Sequence, residues 1–182
     1  MQRRFITLTL LALAACSSQN ESEIVATQLT ESLRAEEVGS VPKLHRYGDV
    51  YLAGQPRAED FELFRERGVR TVLDIRHDSE TPELNERQLV EALGMTYIYI
   101  PWNGPDELND RVLDEMRMVL VDAQRPILFH CGSANRVGAG WLAYRALDEG
   151  LSLEEAHAEA LEVGLRTPAY EAKALEYVRS RK

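Results

Sequence analysis

The residues able to do chemistry in this 182-residue chain concentrate in one stretch, PILFHCGSANRVGAGW, residues 126–141. An apolar run ends in His130-Cys131, four small or polar residues follow, and Arg136 opens the next helical pattern. Strand, tight loop and helix N-terminus together make an anion cradle, because N–H groups without helical partners converge there and the helix dipole adds positive potential. Gly132, Ser133 and Ala134 are small enough for the backbone to approach a ligand closely, and Asn135 completes the loop. Arg136 supplies a planar fork of donors that matches two oxygens of a phosphate or sulfate. A thiol in such a field ionises more readily than a free one. Cys131 is therefore expected to act as a nucleophile beneath a bound oxyanion, in covalent chemistry on phosphorus or sulfur.

The flanking elements must present that loop. Apolar patterning predicts strands at Asp49–Ala53, Thr71–Ile75, Met95–Ile100 and Ile127–His130. Helices are expected at Ala58–Arg67, from an N-cap at Thr81 with Pro82 in the first turn to Leu93, and at Asp110–Ala123. Beyond the loop, Arg136–Glu149 reads as a helix that packs Trp141 and Tyr144 into the core. A capping box at Ser152–Glu155 opens another helix to about Val163, and Thr167-Pro168 starts the last. Strands alternating with helices predict an α/β fold of three layers, a mostly parallel central sheet flanked by helices on both faces. Sites in such sheets lie at the carboxyl ends of the strands. That selects the loops after Ile75, Ile100 and His130. In the first of these, Arg76 is expected to pair with Asp78 or Glu80.

The N-terminal residues 1–15 carry Arg3 and Arg4 before the apolar stretch Phe5–Ala15, which is too short to span a bilayer and has the pattern of a secretory signal. Leu13-Ala14-Ala15-Cys16 resembles a bacterial lipobox, in which the cysteine is lipidated and becomes the mature N-terminus. Cys16 is thus the expected lipidation site. Ser17 after it points to a periplasmic location, lipid-anchored at the outer membrane. Residues 16–40 read as a tether with an amphipathic helix over Ile24–Glu37, and residues 41–182 as the folded domain. Removing the signal leaves 19 basic against 30 acidic residues, a net charge of −11. Such a chain is a poor partner for nucleic acid, so any anion site must be local. With lipid on Cys16, Cys131 has no disulfide partner in an oxidising compartment. His45, His77, His130 and His157 do not fall at metal-ligand spacings, and no metal or cofactor is expected.

HCGSANRVGA resembles the signature of cysteine-dependent protein tyrosine and dual-specificity phosphatases. VYLAGQPRAEDFELFRERGVRTVLDIR and GMTYIYIPW are similar to the beta-lactamase hydrolase-like, phosphatase-like domain family and its bacterial dual-specificity-like relatives, over about Val41–Val178. The resemblance implies a dual-specificity-phosphatase-like fold, with Cys131 as nucleophile, Arg136 as phosphate clamp, His130 ordering the loop and Gly132–Arg136 binding phosphate. It implies hydrolysis of a phosphomonoester through a phosphocysteine. Such an enzyme also needs a proton donor on a loop before the cysteine, and PWNGPDELND offers Asp106 first and Asp110 second. Two departures stand out. Only four residues separate Cys131 from Arg136, one fewer than is usual in these phosphatases and the length of a rhodanese loop. Val137 replaces the hydroxyl residue that helps a phosphocysteine to turn over. Sulfur transfer through a Cys131 persulfide, from a sulfur-donor substrate, and a non-catalytic oxyanion-binding module therefore stay open. The anchor is tested by Cys16→Ser, which should move the protein from the membrane fraction to the soluble periplasm, since acyl chains alone would hold it.

Overall fold

Two apolar runs, VYLA at Val50–Ala53 and ILFH at Ile127–His130, have every residue buried, as strands covered on both faces must. In the computed structural model, which describes residues 32–182, they lie side by side within a six-stranded sheet. The strands are β1 (Arg34–Ala35), β2 (His45–Tyr47), β3 (Val50–Ala53), β4 (Thr71–Asp74), β5 (Thr96–Tyr99) and β6 (Ile127–His130). They are ordered β1-β2-β3-β6-β4-β5. β3, β6, β4 and β5 run parallel, while β1 and β2 add an antiparallel edge beside β3. The sheet is mostly parallel, as read from the sequence, and its antiparallel edge makes it a mixed one. Its register pairs Ala53 with His130, His130 with Asp74, and Asp74 with Tyr99. One row of residues at the carboxyl ends therefore carries all the loops that matter.

Among the described residues, six helices cover the two faces: α1 (Ala58–Glu66), α2 (Glu86–Ala92), α3 (Asp110–Asp122), α4 (Asn135–Leu147), α5 (Leu153–Val163) and α6 (Pro168–Arg179). Strand alternation sorts the core into two. Tyr51, Ala53, Val72 and Leu128 face Phe61 and Phe64 of α1 and Val90 of α2. Leu52, Leu73 and Phe129 face the other way, against Leu113 and Met116 of α3 and Trp141 and Leu142 of α4. α4 is buried along nearly its whole length, which requires neighbours to come very close. Gly138 and Gly140 make that possible. A Cβ on Gly138 would stand 2.8 Å from the Ala160 carbonyl and from Leu165 Cβ, and one on Gly140 would stand 3.0 Å from the Phe129 ring.

Two expectations need correction. Arg34 and Ala35 form β1 rather than part of a helix, because they pair with His45 and Arg46 of the β2–β3 hairpin. The signal, Cys16 and residues up to 31 lie outside the described residues. No helix starts at Thr81: Asp78–Glu80 is a single 3₁₀ turn, and α2 begins at Glu86 with Asn85 as its cap. The Thr81 hydroxyl faces Arg76 instead of a helix N-terminus, accepting from its Nη1 at 2.5 Å. Gly138→Ala should destabilise the protein by about 1–3 kcal/mol, because the contacts it would violate are with backbone and Cβ atoms that cannot turn aside. Urea unfolding of the two proteins checks this.

Candidate active site

β6 ends at His130, and Cys131 follows it, 1% exposed, its N–H donating to the Ala53 carbonyl at 3.3 Å. The loop is then pinned on both sides. Gln55 N–H donates to the Gly132 carbonyl at 3.3 Å, and Ser133 bridges to Gly54. On the other side, Asn135 Oδ1 accepts from the N–H groups of Arg166 (2.8 Å) and Thr167 (3.2 Å), while its amide donates to Thr167 Oγ1 at 2.7 Å. Arg166 Nη2 donates to Ser133 Oγ at 2.7 Å. The side chain of Asn135, expected to serve a bound anion, is therefore committed to the α5–α6 connection, and only its backbone remains for that role. Ala134 sits at φ 62, in the left-handed region that disfavours a side chain by roughly 1–2 kcal/mol. Strain of this kind collects at functional sites.

Arg136, in the first turn of α4, folds its guanidinium back over the loop and is 7% exposed. Its Nη1 donates to the carbonyls of Trp102 (2.7 Å) and Ile75 (3.3 Å) and to Glu80 Oε1 (2.8 Å), and its Nη2 to Glu80 Oε2 (2.5 Å). Burial alone would lower its pKa, but Glu80 and the neighbouring Cys131 raise it, so it is a permanent cation beside the thiol. Burial would likewise raise the pKa of Glu80; the Arg136 hydrogen bonds outweigh it and hold the carboxyl below its usual range. Glu80 had been matched with Arg76 in the sequence, and its true partner is Arg136. An acid three positions past His77 carries no sequence mark of that role.

Arg76, 3% exposed, belongs instead to a buried network. Its Nε and Nη2 fork onto Asp74 at 2.9 and 2.6 Å, and Nη2 also reaches Glu86 Oε2 at 2.6 Å. Glu86 Oε1 lies within hydrogen-bond distance of His130 Nε2, at 2.8 Å. Burial pushes the Asp74 pKa up, but His130 and Arg76 together bring it below the usual value. Asp74, Glu86 and His130 lie close enough to share a metal ion, within 4.8 Å of one another. The Arg76 guanidinium already supplies the positive charge between the two carboxylates, so the cluster is better satisfied as an ion-pair network than as a metal centre. A cavity of about 620 Å³ at the ends of β4 and β5 is lined by Asp74, Arg76, Glu86, Tyr97 and Tyr99 among others, and shares this network without including Cys131.

Of the remaining candidates, Asp106 is exposed in the loop after β5, four residues beyond the Trp102 carbonyl that Arg136 grips, and forms no hydrogen bond or ion pair among the described residues. Asp110 is the first residue of α3, with Asn109 as the cap, and pairs with Arg181 at 3.2 Å. Its place is structural. His77 joins the 3₁₀ turn to the Asp106 loop through Glu107, at 2.7 Å.

No family model matches the chain. Over 101 residues, 53% of the chain, it is 28% identical to a beta-lactamase hydrolase-like protein of Agrobacterium fabrum, and the match spans 23% of that relative's length. Among solved structures, Pseudomonas aeruginosa TpbA in complex with phosphotyrosine superposes with a TM-score of 0.64 at 22% identity, covering 82% of this chain and 90% of that one. The core catalytic domain of the PP-IP phosphatase SIW14 from S. cerevisiae, in complex with citrate, gives 0.64 at 20% identity, over 80% and 89% of the two chains. The protein has the fold of the cysteine-dependent protein tyrosine and dual-specificity phosphatases. Within that fold the Glu80–Arg136 pair has a checkable pH dependence. Because the Glu80 pKa is depressed from 4.5, the pair stabilises fully above that value and its contribution is lost as pH falls through the lower folded value. The stability difference between wild type and Glu80→Gln should be constant above about pH 4.5 and shrink below it, as read by denaturant midpoints across a pH series.

Proposed function

We propose that the protein is a cysteine-dependent phosphatase that hydrolyses a phosphomonoester through a phosphocysteine on Cys131. The observation that carries this reading is the buried Cys131 beside the Arg136 guanidinium, itself anchored by Glu80 and two backbone carbonyls, at a strand end of a phosphatase fold. The Cys131 thiolate attacks phosphorus as the ester P–O bond breaks, and Asp106 gives its proton to the departing oxygen. Arg136 and the N–H groups of residues 132–136 hold the oxygens that carry the developing charge. Water then attacks phosphorus, its proton passes to Asp106, and the S–P bond breaks to release phosphate and thiolate. His130 keeps the loop in place from below. The phosphotyrosine complex of TpbA supports a phosphorylated substrate. Lipid on Cys16 would hold this activity in the periplasm at the outer membrane. Sulfur transfer through a Cys131 persulfide is the second reading, and the four-residue spacing from Cys131 to Arg136 favours it.

Val137 leaves no hydroxyl at the residue after Arg136, so release of phosphate from Cys131 should be the slow step. Aryl phosphate should give a burst followed by slow turnover, with a phosphorylated Cys131 trapped and detected by mass spectrometry. Cys131→Ser should abolish activity, Arg136→Lys should weaken it severely because an ammonium lacks the planar fork, and Asp106→Asn should slow it about 10²–10⁴-fold. Cyanide-dependent sulfur transfer from thiosulfate that outpaces phosphate release, and vanishes in Cys131→Ser, would reverse the two readings.

A further inference from the structure

Glu86 is 4% exposed and begins the two-turn helix α2. Its carboxylate collects polar groups from three separate strand ends. Oε1 lies 2.8 Å from His130 Nε2, at the end of β6. Oε2 accepts from Arg76 Nη2 at 2.6 Å, past the end of β4, and from Gln55 Nε2 at 3.2 Å, past the end of β3. Gln55 is the residue whose N–H holds the Gly132 carbonyl of the loop. Neutralising Arg76 does not require Glu86, because Asp74 already meets that guanidinium with a two-point fork. A second carboxylate buried in the same place is disfavoured by several kcal/mol of desolvation unless it serves another partner. The partner left is His130, which is fully buried and whose other ring nitrogen, Nδ1, has no hydrogen-bond partner among the described residues.

We infer that Glu86 is a positioning residue for the phosphate loop: it holds the His130 ring with a proton on Nε2 and, through Gln55, fixes the carbonyl of Gly132. An ionised carboxylate only accepts hydrogen bonds, so the ring nitrogen facing it must be the donor. The kinetic consequence rests on the phosphatase reading; the state of the ring does not.

Glu86→Gln separates this from simple core packing. The amide has one oxygen where Arg76 and His130 both bring a donor. The permanently charged Arg76 keeps that oxygen, and the amide N–H₂ then faces His130 Nε2, which must become an acceptor. The ring proton moves to Nδ1. Two-dimensional ¹⁵N–¹H spectra of the labelled, full-length protein read this directly. Expected is an Nε2–H signature for His130 in the wild type, changed to Nδ1–H in Glu86→Gln, with kcat lowered on the order of a hundredfold and KM little altered. The wild-type spectrum alone suffices if the variant does not fold. A wild-type ring protonated only on Nδ1, or a folded Glu86→Gln that keeps the Nε2–H form, overturns the inference. A ring that changes as expected in a protein that releases no phosphate upholds it and removes the phosphatase reading instead.

Discussion

A guanidinium buried to the extent of Arg136 has to find acceptors for its donors, or the fold loses several kcal/mol. The acceptors come from far along the chain: Ile75 after β4, Glu80 in the turn that follows, and Trp102 after β5. Each loop that leaves the carboxyl edge between β4 and β6 thus touches the same side chain. The parallel register, which sets His130, Asp74 and Tyr99 in one row, is what allows a single arginine to reach all of them. Removing Arg136 would strand two carbonyls and a carboxylate together, so the residue suited to grip an oxyanion is also the one that closes the end of the sheet.

That arrangement places the ordering of the clamp in folding rather than in binding. Arg136 is a long, rotamer-rich side chain, and fixing one at the moment of association opposes affinity by about 0.5–1.5 kcal/mol. Here Glu80 and the two carbonyls fix it beforehand, and the strained Ala134 turn is held by contacts outside the loop. Preorganised charge of this kind acts on a developing transition state without further reorganisation. The surrounding chain is acidic, with 30 carboxylates to 21 basic groups, and the focused positive site stands out against it.

The regular elements were legible because each carried its own local signal. α1, β6 and the capping box of α5 match their expected bounds to within a residue, since period, caps and terminal glycines all lie within a few positions of the element they define. Cys131 and Arg136 were legible for the same reason: they belong to one strand–loop–helix unit. What the sequence hid were partnerships across distance. Thr81 and Pro82 look like a helix start, yet Arg76 claims the threonine hydroxyl and the chain runs on to Asn85 before turning helical. Glu80 and Glu86 are two acids among many until β4, β5 and β6 are laid side by side. The β2 strand escaped notice because His45-Arg46-Tyr47 is half-exposed, one strand in from the sheet edge, and lacks an apolar run.

The clamp formed by Asn135, Arg166 and Thr167 bears on how such a loop can change. Two of the loop's own residues, Ser133 and Asn135, are bonded to the connection between α5 and α6, and a Cβ added to Gly164 would stand 3.4 Å from Ala134 Cβ. The length of the turn after Cys131 is therefore not a property of that turn alone. An added residue would have to displace a segment 31 positions downstream, against a Gly138–Ala160 approach that has no room for a Cβ. Loop and connection form one module, and a change in either is viable only when the other changes with it.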